Sequence, residues 1–570
     1  MTQYKILIDD RNYYAWRVYN FDSLSEVDES SEINKLDIEP TRDKLFSSDV
    51  FSMIDNTTVQ VLHSSVRSMS IIPGILVVNG NKTYGKYKDK YLYKCIPDDK
   101  RLPIFVVPYA MKLGFNKNID NKYIVFKFDQ WSSKHPQGTI ISVLGDVDKL
   151  DNFYEYQLYC KSLHASIQNF NKAASQALKL KTEDEFIKNM VQRHGIIDRT
   201  NMEIFSIDSK QTSDYDDAFS ITQTSNDSFV LSIYIANVPI WLEELQLWDS
   251  FTQRISTIYL PDRKRPMMPT ILSECLCSLC QDVVRLAFVI DITILNGEII
   301  GYKFENAIVK LYKNHVYDSA ELLDDMNYKQ LFRVANILSR TYKYLPNIKT
   351  SYDLVSYLMI LMNYYCANEM IKYNNGIYRS VEINTSVQKP PNLPENVDKF
   401  LTIWNSSCGH YDMYDAKKCH EFLNLDSYIH CTSPIRRLVD LLNMSQLQIN
   451  LNMVNYGHEY RKFYSNWTNK LDYINTTMRC IRKIQNDCNL LHMCSTNPEI
   501  CIKEYDGYLF DKIIRSDGLF QYIVYIPELK TASRVTYHHN IDEYTKQIFK
   551  VFVFNDEDSL KKKIRLHLIL

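Results

Sequence analysis

Short runs of β-branched and aromatic residues at both ends of this 570-residue chain are the feature that most constrains its fold. Before about residue 150 these runs include YKILI, AWRVY, GILVV and KYIVFKF, and after Cys488 they include GYLFDKII, QYIVYI and IFKVFVF. Clusters of Asp, Asn, Gly, Pro and Ser separate the runs. Runs of this length between turn signals predict short strands that form small barrels or sandwiches.

The middle of the chain has a different pattern. A polar, helix-compatible stretch from Glu155 to Arg193 leads into a centre that mixes apolar strands, such as FVLSIYIANV, with longer helical segments. We predict helices over Tyr352–Tyr373, Ser433–Leu451 and Glu459–Ile484, and the Leu/Met spacing of the first is typical of core packing. The chain is therefore expected to be a multidomain α+β protein, with a large α+β centre between β modules.

Composition excludes some classes of protein and leaves others open. The net charge of −2, from 66 Lys and Arg against 68 Asp and Glu, does not indicate a basic nucleic-acid-binding domain, although a local basic channel could still attract a polyanion. Apolar stretches are too short to cross a membrane, and the first residues show no secretory signal. The 13 cysteines lack a disulfide-scaffold spacing, so we expect reduced thiols in a cytosol-like compartment.

An acidic cluster precedes one predicted strand, in the segment IDSKQTSDYDDAFSI. Four aspartates fall within ten positions: Asp208, Asp214, Asp216 and Asp217. Carboxylates grouped at the start of a strand must be solvated or neutralised by a cation, and hard divalent cations such as Mg²⁺ prefer oxygen ligands. An acidic surface turn is the alternative. A calcium loop is excluded, because a loop that starts at Asp214 has Phe219 where glycine is required.

A basic cluster lies in the segment YIHCTSPIRRLVDLL. Ser433 followed by Pro434 is a helix-start signal, which predicts that Ser433 caps a helix whose first turn carries Arg436 and Arg437. The free N–H groups of a helix start, with two arginines, favour an anionic partner such as phosphate. Alternatively, Arg436 forms a surface pair with Asp440 four residues later.

A third cluster joins an aromatic residue to basic ones. Tyr259 is followed by the segment DRKR, which offers phosphate contacts beside a ring that could stack on a base. Cys275, Cys277 and Cys280 follow, but no CxxC pair or HxxxH pattern lies nearby, so a zinc site is disfavoured.

These segments, in this order, resemble the ribonuclease II (RNB) exoribonuclease family, and in detail its eukaryotic exosome-type branch without the N-terminal endonuclease domain. The acidic segment, the block RISTIYLPDRKRPMMPTILSECLCSLCQ and the segment YIHCTSPIRRLVDLL each resemble a family motif. The resemblance implies a mixed α/β RNB catalytic domain flanked by OB-fold barrels. Its expected parts are two cold-shock-like barrels (1–68 and 69–152), a helical connector (153–194), the RNB domain (195–485) and an S1-like barrel (486–570).

The resemblance also implies an activity, namely Mg²⁺-dependent, processive 3′-to-5′ hydrolysis of RNA to nucleoside 5′-monophosphates. The four aspartates fall on the family's catalytic aspartates, which would hold two Mg²⁺ ions, with Mn²⁺ as a substitute. Arg436 falls on the active-site arginine that neutralises charge on the phosphate in the transition state. The expected substrate-binding residues are Tyr259, Tyr317, Arg437 and Ser433.

The expected partners are single-stranded RNA and an exosome-like or other RNA-decay complex, with no membrane, in the cytoplasm or alternatively the nucleus. The sequence departs from the family pattern at Tyr234, Asn237, Ser356, Tyr357 and Met444-Ser445, and none of these positions is one of the four aspartates or Arg436. The alternative function is that of a catalytically inactive RNA-binding or scaffold member of the family.

Overall fold

Contacts within the chain define two structural units in the computed structural model. It describes residues 2–27, 37–55, 58–111, 120–344, 347–384, 387, 389–406, 409–415 and 419–569. The first unit comprises Met1–His164, Leu260–Asp262 and Asn486–Leu570, and the second comprises Ala165–Tyr259 and Arg263–Gln485.

The regular elements alternate between β-rich ends and a mixed centre. The strands of the described residues are β1 (Gln3–Ile8), β2 (Trp16–Asn20), β3 (Val50–Met53), β4 (Val59–His63), β5 (Ile72–Val77), β6 (Lys86–Tyr87), β7 (Lys90–Pro97), β8 (Phe105–Tyr109), β9 (Lys122–Gln130), β10 (Gln137–Asp146), β11 (Ile197–Asp198), β12 (Ile204–Asp208), β13 (Asp217–Ser225), β14 (Ser228–Ala236), β15 (Ile258–Tyr259), β16 (Lys264–Arg265), β17 (Val284–Leu295), β18 (Glu298–Val316), β19 (Ile377–Ser380), β20 (His410–Met413), β21 (Tyr505–Ile514), β22 (Phe520–Ile526), β23 (Thr531–Tyr537), β24 (Lys546–Asn555) and β25 (Lys562–Leu568). The helices there are α1 (Ser65–Ser68), α2 (Leu150–Cys160), α3 (Gln168–Ala177), α4 (Glu183–His194), α5 (Val238–Glu244), α6 (Ala320–Asp324), α7 (Met326–Thr341), α8 (Ser351–Ile371), α9 (Glu395–Trp404), α10 (Leu438–Asn450), α11 (His458–Thr468), α12 (Leu471–Thr496) and α13 (Glu499–Ile502).

The first unit contains three separate sheets. One has the order β2-β1-β3-β4, the second β5-β9-β10-β8-β7-β6, and the third β23-β22-β21-β24-β25. The second sheet closes into a barrel, because β5 pairs with β7 as well as with β9. Closure removes exposed strand edges, and it leaves an interior filled by side chains such as Leu76, Phe105 and Phe126. The predicted β-rich character of both ends is therefore confirmed, and the second sheet is a closed barrel.

The second unit is built on a six-stranded mixed sheet. Its order is β11-β18-β12-β13-β14-β17, and β18 also pairs with β17. Strand β12 runs parallel to β18 and antiparallel to β13. Near-continuous apolar runs in β14 and β17 agree with strands buried on both faces.

Helices α7 and α8 bury apolar side chains against this sheet. Leu354, Leu358 and Leu361 of α8 join the same core as Phe288 and Ile290 of β17. The prediction that this helix packs in the core is confirmed, and its bounds are Ser351–Ile371 because Thr350 and Asp353 form a capping box at its start. The fold class, multidomain α+β with OB-fold barrels, is confirmed.

The predicted helix over Glu459–Ile484 is two helices, α11 and α12, which the turn around Asn469 separates. Among the helices of the described ranges, none has a segment long and apolar enough to span a lipid bilayer. Cysteines within these ranges are free thiols. The bounds of the five predicted domains stay a prediction, because the contacts group the three sheets of the β-rich ends into one unit.

We expect Ile290→Ala to destabilise the second unit by about 2–5 kcal/mol, because the side chain is fully buried between the sheet and its helices. Ile300→Ala on the neighbouring strand is the matched control. Its side chain is 61% exposed, so the change should stay within about 0.5 kcal/mol. Urea unfolding of the full chain measures both, and equal effects would contradict the packing described here.

Candidate active site

Two of the four clustered aspartates lie at the ends of neighbouring strands. Asp208 is the last residue of β12, and Asp217 is the first residue of β13. Because β12 and β13 are antiparallel neighbours, the end of one and the start of the other lie at the same edge of the sheet. The loop that joins them carries Asp214 and Asp216, so all four carboxyl groups belong to this edge.

Ser278 and Leu279 hold this loop through hydrogen bonds to its backbone. The Ser278 hydroxyl accepts a hydrogen bond from the Tyr215 amide (2.9 Å) and donates one to the Ser213 carbonyl (3.2 Å). The Leu279 amide also donates to the Tyr215 carbonyl at 3.0 Å. Ser278 is fully buried, so these bonds form away from water and fix the loop between Ser213 and Tyr215.

Asp216 connects the acidic loop to the basic segment more than 200 residues later. Its carboxylate accepts a hydrogen bond from the Ile435 amide (3.0 Å) on Oδ1 and one from the Arg436 guanidinium (3.1 Å) on Oδ2. The Asp216 side chain is only 3% exposed, whereas that of Arg436 is 42% exposed. Arg436 is therefore anchored at its inner end and open to solvent beyond it.

The segment from Ser433 to Arg436 is a turn and not the start of a helix. Helix α10 begins at Leu438, after Arg437 at its N-cap position, so the prediction that Ser433 caps the helix is wrong. Within the turn, the Arg436 and Arg437 amides donate to the Ser433 carbonyl. The Ser433 hydroxyl accepts a bond from the Arg436 guanidinium at 2.9 Å.

Asp440 stabilises this turn from inside α10. It is fully buried, and its Oδ1 atom accepts hydrogen bonds from the Ser433 amide and from Arg437, both at 2.8 Å. The predicted alternative, an Arg436–Asp440 pair, is therefore wrong: Asp440 pairs with Arg437 instead. The carbonyl of Arg436 also accepts bonds from the Thr257 amide (3.0 Å) and the Ser256 hydroxyl (2.9 Å), which join the turn to the segment before Tyr259.

Burial makes three of the carboxyl groups hard to ionise. It raises the pKa of Asp208 to about 7, that of Asp216 to about 7 and that of Asp217 to about 8. The negative charge of Asp208 contributes to the raised pKa of Asp217, and the Arg436 charge opposes all three shifts. Carboxyl groups with raised pKa values in one place indicate a site that requires positive charge.

The donor set fits a divalent cation in its chemistry. The Oδ2 atoms of Asp208 and Asp217 are buried and have no hydrogen-bond partner among the described residues. Carboxylate oxygens of this kind are the ligands that Mg²⁺ prefers. Across the described ranges, however, no group of three or more His, Cys, Asp or Glu side chains is arranged to bind a metal ion, and this includes the three cysteines Cys275, Cys277 and Cys280. The predicted two-ion site stays a prediction.

The predicted phosphate-contacting segment DRKR has other partners in the structure. Lys264 donates to Oδ1 of Asp214 at 2.8 Å and also contacts Glu274 at 2.7 Å. Arg265 is buried and donates to the Arg263 carbonyl at 2.8 Å. The expectation that these two side chains meet phosphate is not supported by their contacts.

The two predicted aromatic residues lie beside the acidic cluster. Tyr259 is 39% exposed, pairs with Lys264 in the β15–β16 hairpin, and has its pKa raised by burial and by the nearby Asp214 charge. The Tyr317 amide donates to the Asp208 carbonyl at 2.9 Å, and its ring lies 5.7 Å from that of Tyr352. Burial and the nearby Asp217 charge also raise the pKa of Tyr317, so both rings lie near the carboxyl groups.

Most of the residues that depart from the family pattern are buried, and the side chains of Tyr234 and Asn237 bond to residues other than the four aspartates. The Tyr234 hydroxyl shares a hydrogen bond with that of Ser220 at 2.9 Å, and the Asn237 amide contacts Asn306 and Gln448. Three more of the departing residues are fully buried, namely Tyr357, Met444 and Ser445. These departures alter the core.

Sequence reasoning named Asp440 only as a surface partner of Arg436, and it missed Ser278 and the role of Lys264. Asp440 stands in the apolar segment LVDLL, where a carboxylate must find a buried partner, so its position carried a usable signal. Ser278 and Lys264 had no such signal, because their partners on the acidic loop are at least 50 positions away in the chain.

Comparison with family models finds two matches. A model described as "RNB domain" matches residues 196–343, which include the four aspartates, Tyr259 and Tyr317. A model described as "Dis3-like cold-shock domain 2 (CSD2)" matches residues 92–155, which lie in the first unit.

Curated relatives are ribonucleases. Ribonuclease R of Chlamydia pneumoniae is 25% identical over 316 residues, which cover 44% of this chain and 47% of that protein. Exosome complex exonuclease RRP44 homolog A of Arabidopsis thaliana is 29% identical over 224 residues, 38% of this chain and 23% of that protein. The matched part therefore spans less than half the length of these relatives.

Solved structures share the fold over nearly the whole chain. RNase R of Mycoplasma genitalium, in complex with ribose-methylated single-stranded RNA, superposes with a TM-score of 0.69 at 16% identity and covers 99% of this chain and 100% of its own. Yeast Ssd1, described as a pseudonuclease, superposes with a TM-score of 0.59 at 13% identity and covers 96% of this chain and 80% of its own. At these identities the likeness establishes the fold.

We expect Asp440→Asn to destabilise the second unit by about 3 kcal/mol, because Arg437 would keep a largely buried charge without its partner. Asp506→Asn is the matched control. It breaks an ion pair whose two side chains are 56% and 55% exposed, and should cost about 0–1 kcal/mol. Urea unfolding of both variants measures the difference, and an Asp440→Asn variant as stable as the control would contradict the anchoring role.

Proposed function

We propose that this chain, whose residues 196–343 match the RNB domain model, is a divalent-cation-dependent exoribonuclease that hydrolyses RNA from its 3′ end and releases nucleoside 5′-monophosphates. The observation that supports this most strongly is the bond from Arg436 to the buried Asp216 carboxylate. It brings a solvent-accessible guanidinium to the edge of the sheet that carries the four aspartates.

The proposed chemistry is in-line displacement at a phosphodiester. Asp208 and Asp217 would hold a divalent cation, because each has a buried oxygen with no partner among the described residues. When bound, such a cation activates water and stabilises the leaving 3′ oxygen. Arg436 would neutralise the charge that develops on the phosphate, and it is preorganised for this by Asp216 and by the Ser433 hydroxyl.

Substrate binding would depend on stacking. Tyr259 and Tyr317 lie beside the carboxyl cluster, and a tyrosine ring stacks on any base, so low sequence specificity is expected. Ser433 and Arg437 were predicted to bind substrate. Their bonds to Arg436 and Asp440 instead support a role in positioning Arg436.

The S1-like barrel offers a second surface suited to RNA. Phe552, Phe554, Arg565 and His567 line a cavity of about 330 Å³ on strands β24 and β25. The two phenylalanines are 46% and 40% exposed. Exposed rings beside a basic side chain are what a stacking platform for single-stranded nucleic acid requires.

A second candidate function is RNA binding without hydrolysis. It is favoured by the likeness of this fold to that of Ssd1, a protein described as a pseudonuclease. Presence of all four aspartates and Arg436 favours hydrolysis. We also propose single-stranded RNA as the partner, membership of an exosome-like or other RNA-decay complex, and a cytoplasmic or nuclear location.

We expect the wild-type chain to shorten a 5′-labelled RNA oligonucleotide from its 3′ end in Mg²⁺ and not in excess EDTA. Asp216→Asn should slow shortening by about 10²–10³-fold, because the neutral amide holds Arg436 less firmly and removes one charge from the site. Fluorescence anisotropy should show RNA binding within about twofold of wild type, because the stacking rings are unchanged.

Asp227→Asn is the matched control for this variant. Asp227 is exposed in the turn between β13 and β14, so the change should leave shortening unaffected. Binding without shortening by the wild-type chain would favour the scaffold function. Equal shortening by Asp216→Asn and wild type would show the site assignment to be wrong.

Tyr259→Ala should change the length of the final product more than the rate of the first steps. The ring lies beside Asp214, where a short RNA has few other contacts, so its loss matters most for the last nucleotides. Gel analysis of product lengths measures this, with Tyr14→Ala, an 87% exposed tyrosine of the first unit, as control. An unchanged final product would remove this role from Tyr259.

A further inference from the structure

The Lys264 ammonium is bound by three oxygen atoms at the edge of the acidic cluster. It lies 2.8 Å from Oδ1 of Asp214, 2.7 Å from the Ser213 hydroxyl and 2.7 Å from Oε1 of Glu274. An ammonium group has three N–H donors, so these contacts use all of them. The side chain is 25% exposed, which makes this a partly buried and fully bonded cation.

The partners of Lys264 come from three separate places in the chain. Lys264 itself is on β16, held opposite Tyr259 in the short hairpin. Ser213 and Asp214 are on the acidic loop, and Glu274 is in the single helical turn Ile271–Leu276. Because Ser278 pins the loop at Ser213 and Tyr215, the lysine and Asp214 meet in a fixed arrangement.

The four aspartates therefore divide into two pairs. Asp214 and Asp216 each have a basic side chain within hydrogen-bond distance, Lys264 and Arg436 respectively. Asp208 and Asp217 have none among the described residues, and each keeps a buried oxygen without a partner. Positive charge is thus already supplied to one pair and is missing from the other.

We propose that Lys264 supplies a fixed positive charge at Asp214, so that the site binds one divalent cation, at Asp208 and Asp217, and not two. This inference rests on the proposed function and concerns its cation requirement. An ammonium at 2.8 Å occupies a lone pair of Asp214 and repels a second cation approaching the same carboxylate. Lys264 is then a positioning residue, which holds Asp214 and its loop.

Counting bound Mn²⁺ by electron paramagnetic resonance tests the proposal independently of RNA hydrolysis. The wild-type chain should bind one ion, and Lys264→Met, which keeps the length of the side chain without its charge, should bind two. Lys264→Arg is the matched control, which keeps the charge and should bind one. Two ions in the wild type, two in Lys264→Arg, or equal counts in the wild type and Lys264→Met would overturn the proposal.

Two further variants test whether the cation binds at Asp208 and Asp217, even if Lys264→Met does not fold. Asp214→Asn should still bind one Mn²⁺ ion, whereas Asp217→Asn should bind none. Loss of the ion in Asp214→Asn, or its retention in Asp217→Asn, would overturn the proposal. RNA shortening by the same wild-type preparation separates the one-cation inference from the proposed function. Two bound ions together with shortening would contradict only the one-cation inference. Absence of shortening in Mg²⁺ would contradict the proposed function.

Discussion

The buried carboxylate of Asp216 is the group on which the rest of the site depends. It receives the Ile435 amide and the Arg436 guanidinium, and so joins a loop at one edge of the sheet to a turn more than 200 residues later. A carboxylate with 3% exposure is costly to bury unless such bonds are made. Their formation therefore selects one arrangement of the loop and the turn.

The cost of burying a carboxylate also determines the charge balance at the site. Burial raises the pKa of Asp208, Asp216 and Asp217, and the protein supplies basic groups to only some of the carboxylates. Arg436 is held at Asp216 and Lys264 at Asp214, which leaves Asp208 and Asp217 as the pair that a divalent cation would complete. In the proposed hydrolysis, Asp208 and Asp217 would hold the cation and Arg436 would neutralise charge on the phosphate.

Local sequence signals predicted the fold well and the arginine turn badly. Alternation of apolar and turn residues indicated the β modules, and the Leu/Met spacing predicted a helix over Tyr352–Tyr373, which the structure places at Ser351–Ile371. Ser433-Pro434 carries an equally clear helix-start signal, yet α10 begins at Leu438. Asp440 binds the Ser433 amide and Arg437 from within the helix, and Asp216 binds the Ile435 amide from the acidic loop. Together these bonds override the local preference.

The sequence by itself determined the fold class and which residue types gather near the site, because periodicity and residue chemistry are local properties of the chain. Only the tertiary structure decided which charges meet. Pairing of Asp216 with Arg436 and of Asp214 with Lys264 depends on where separate strands and turns come together. Electrostatic and hydrogen-bond energies fall steeply with distance, so which charged side chains pair is determined only once the chain has folded.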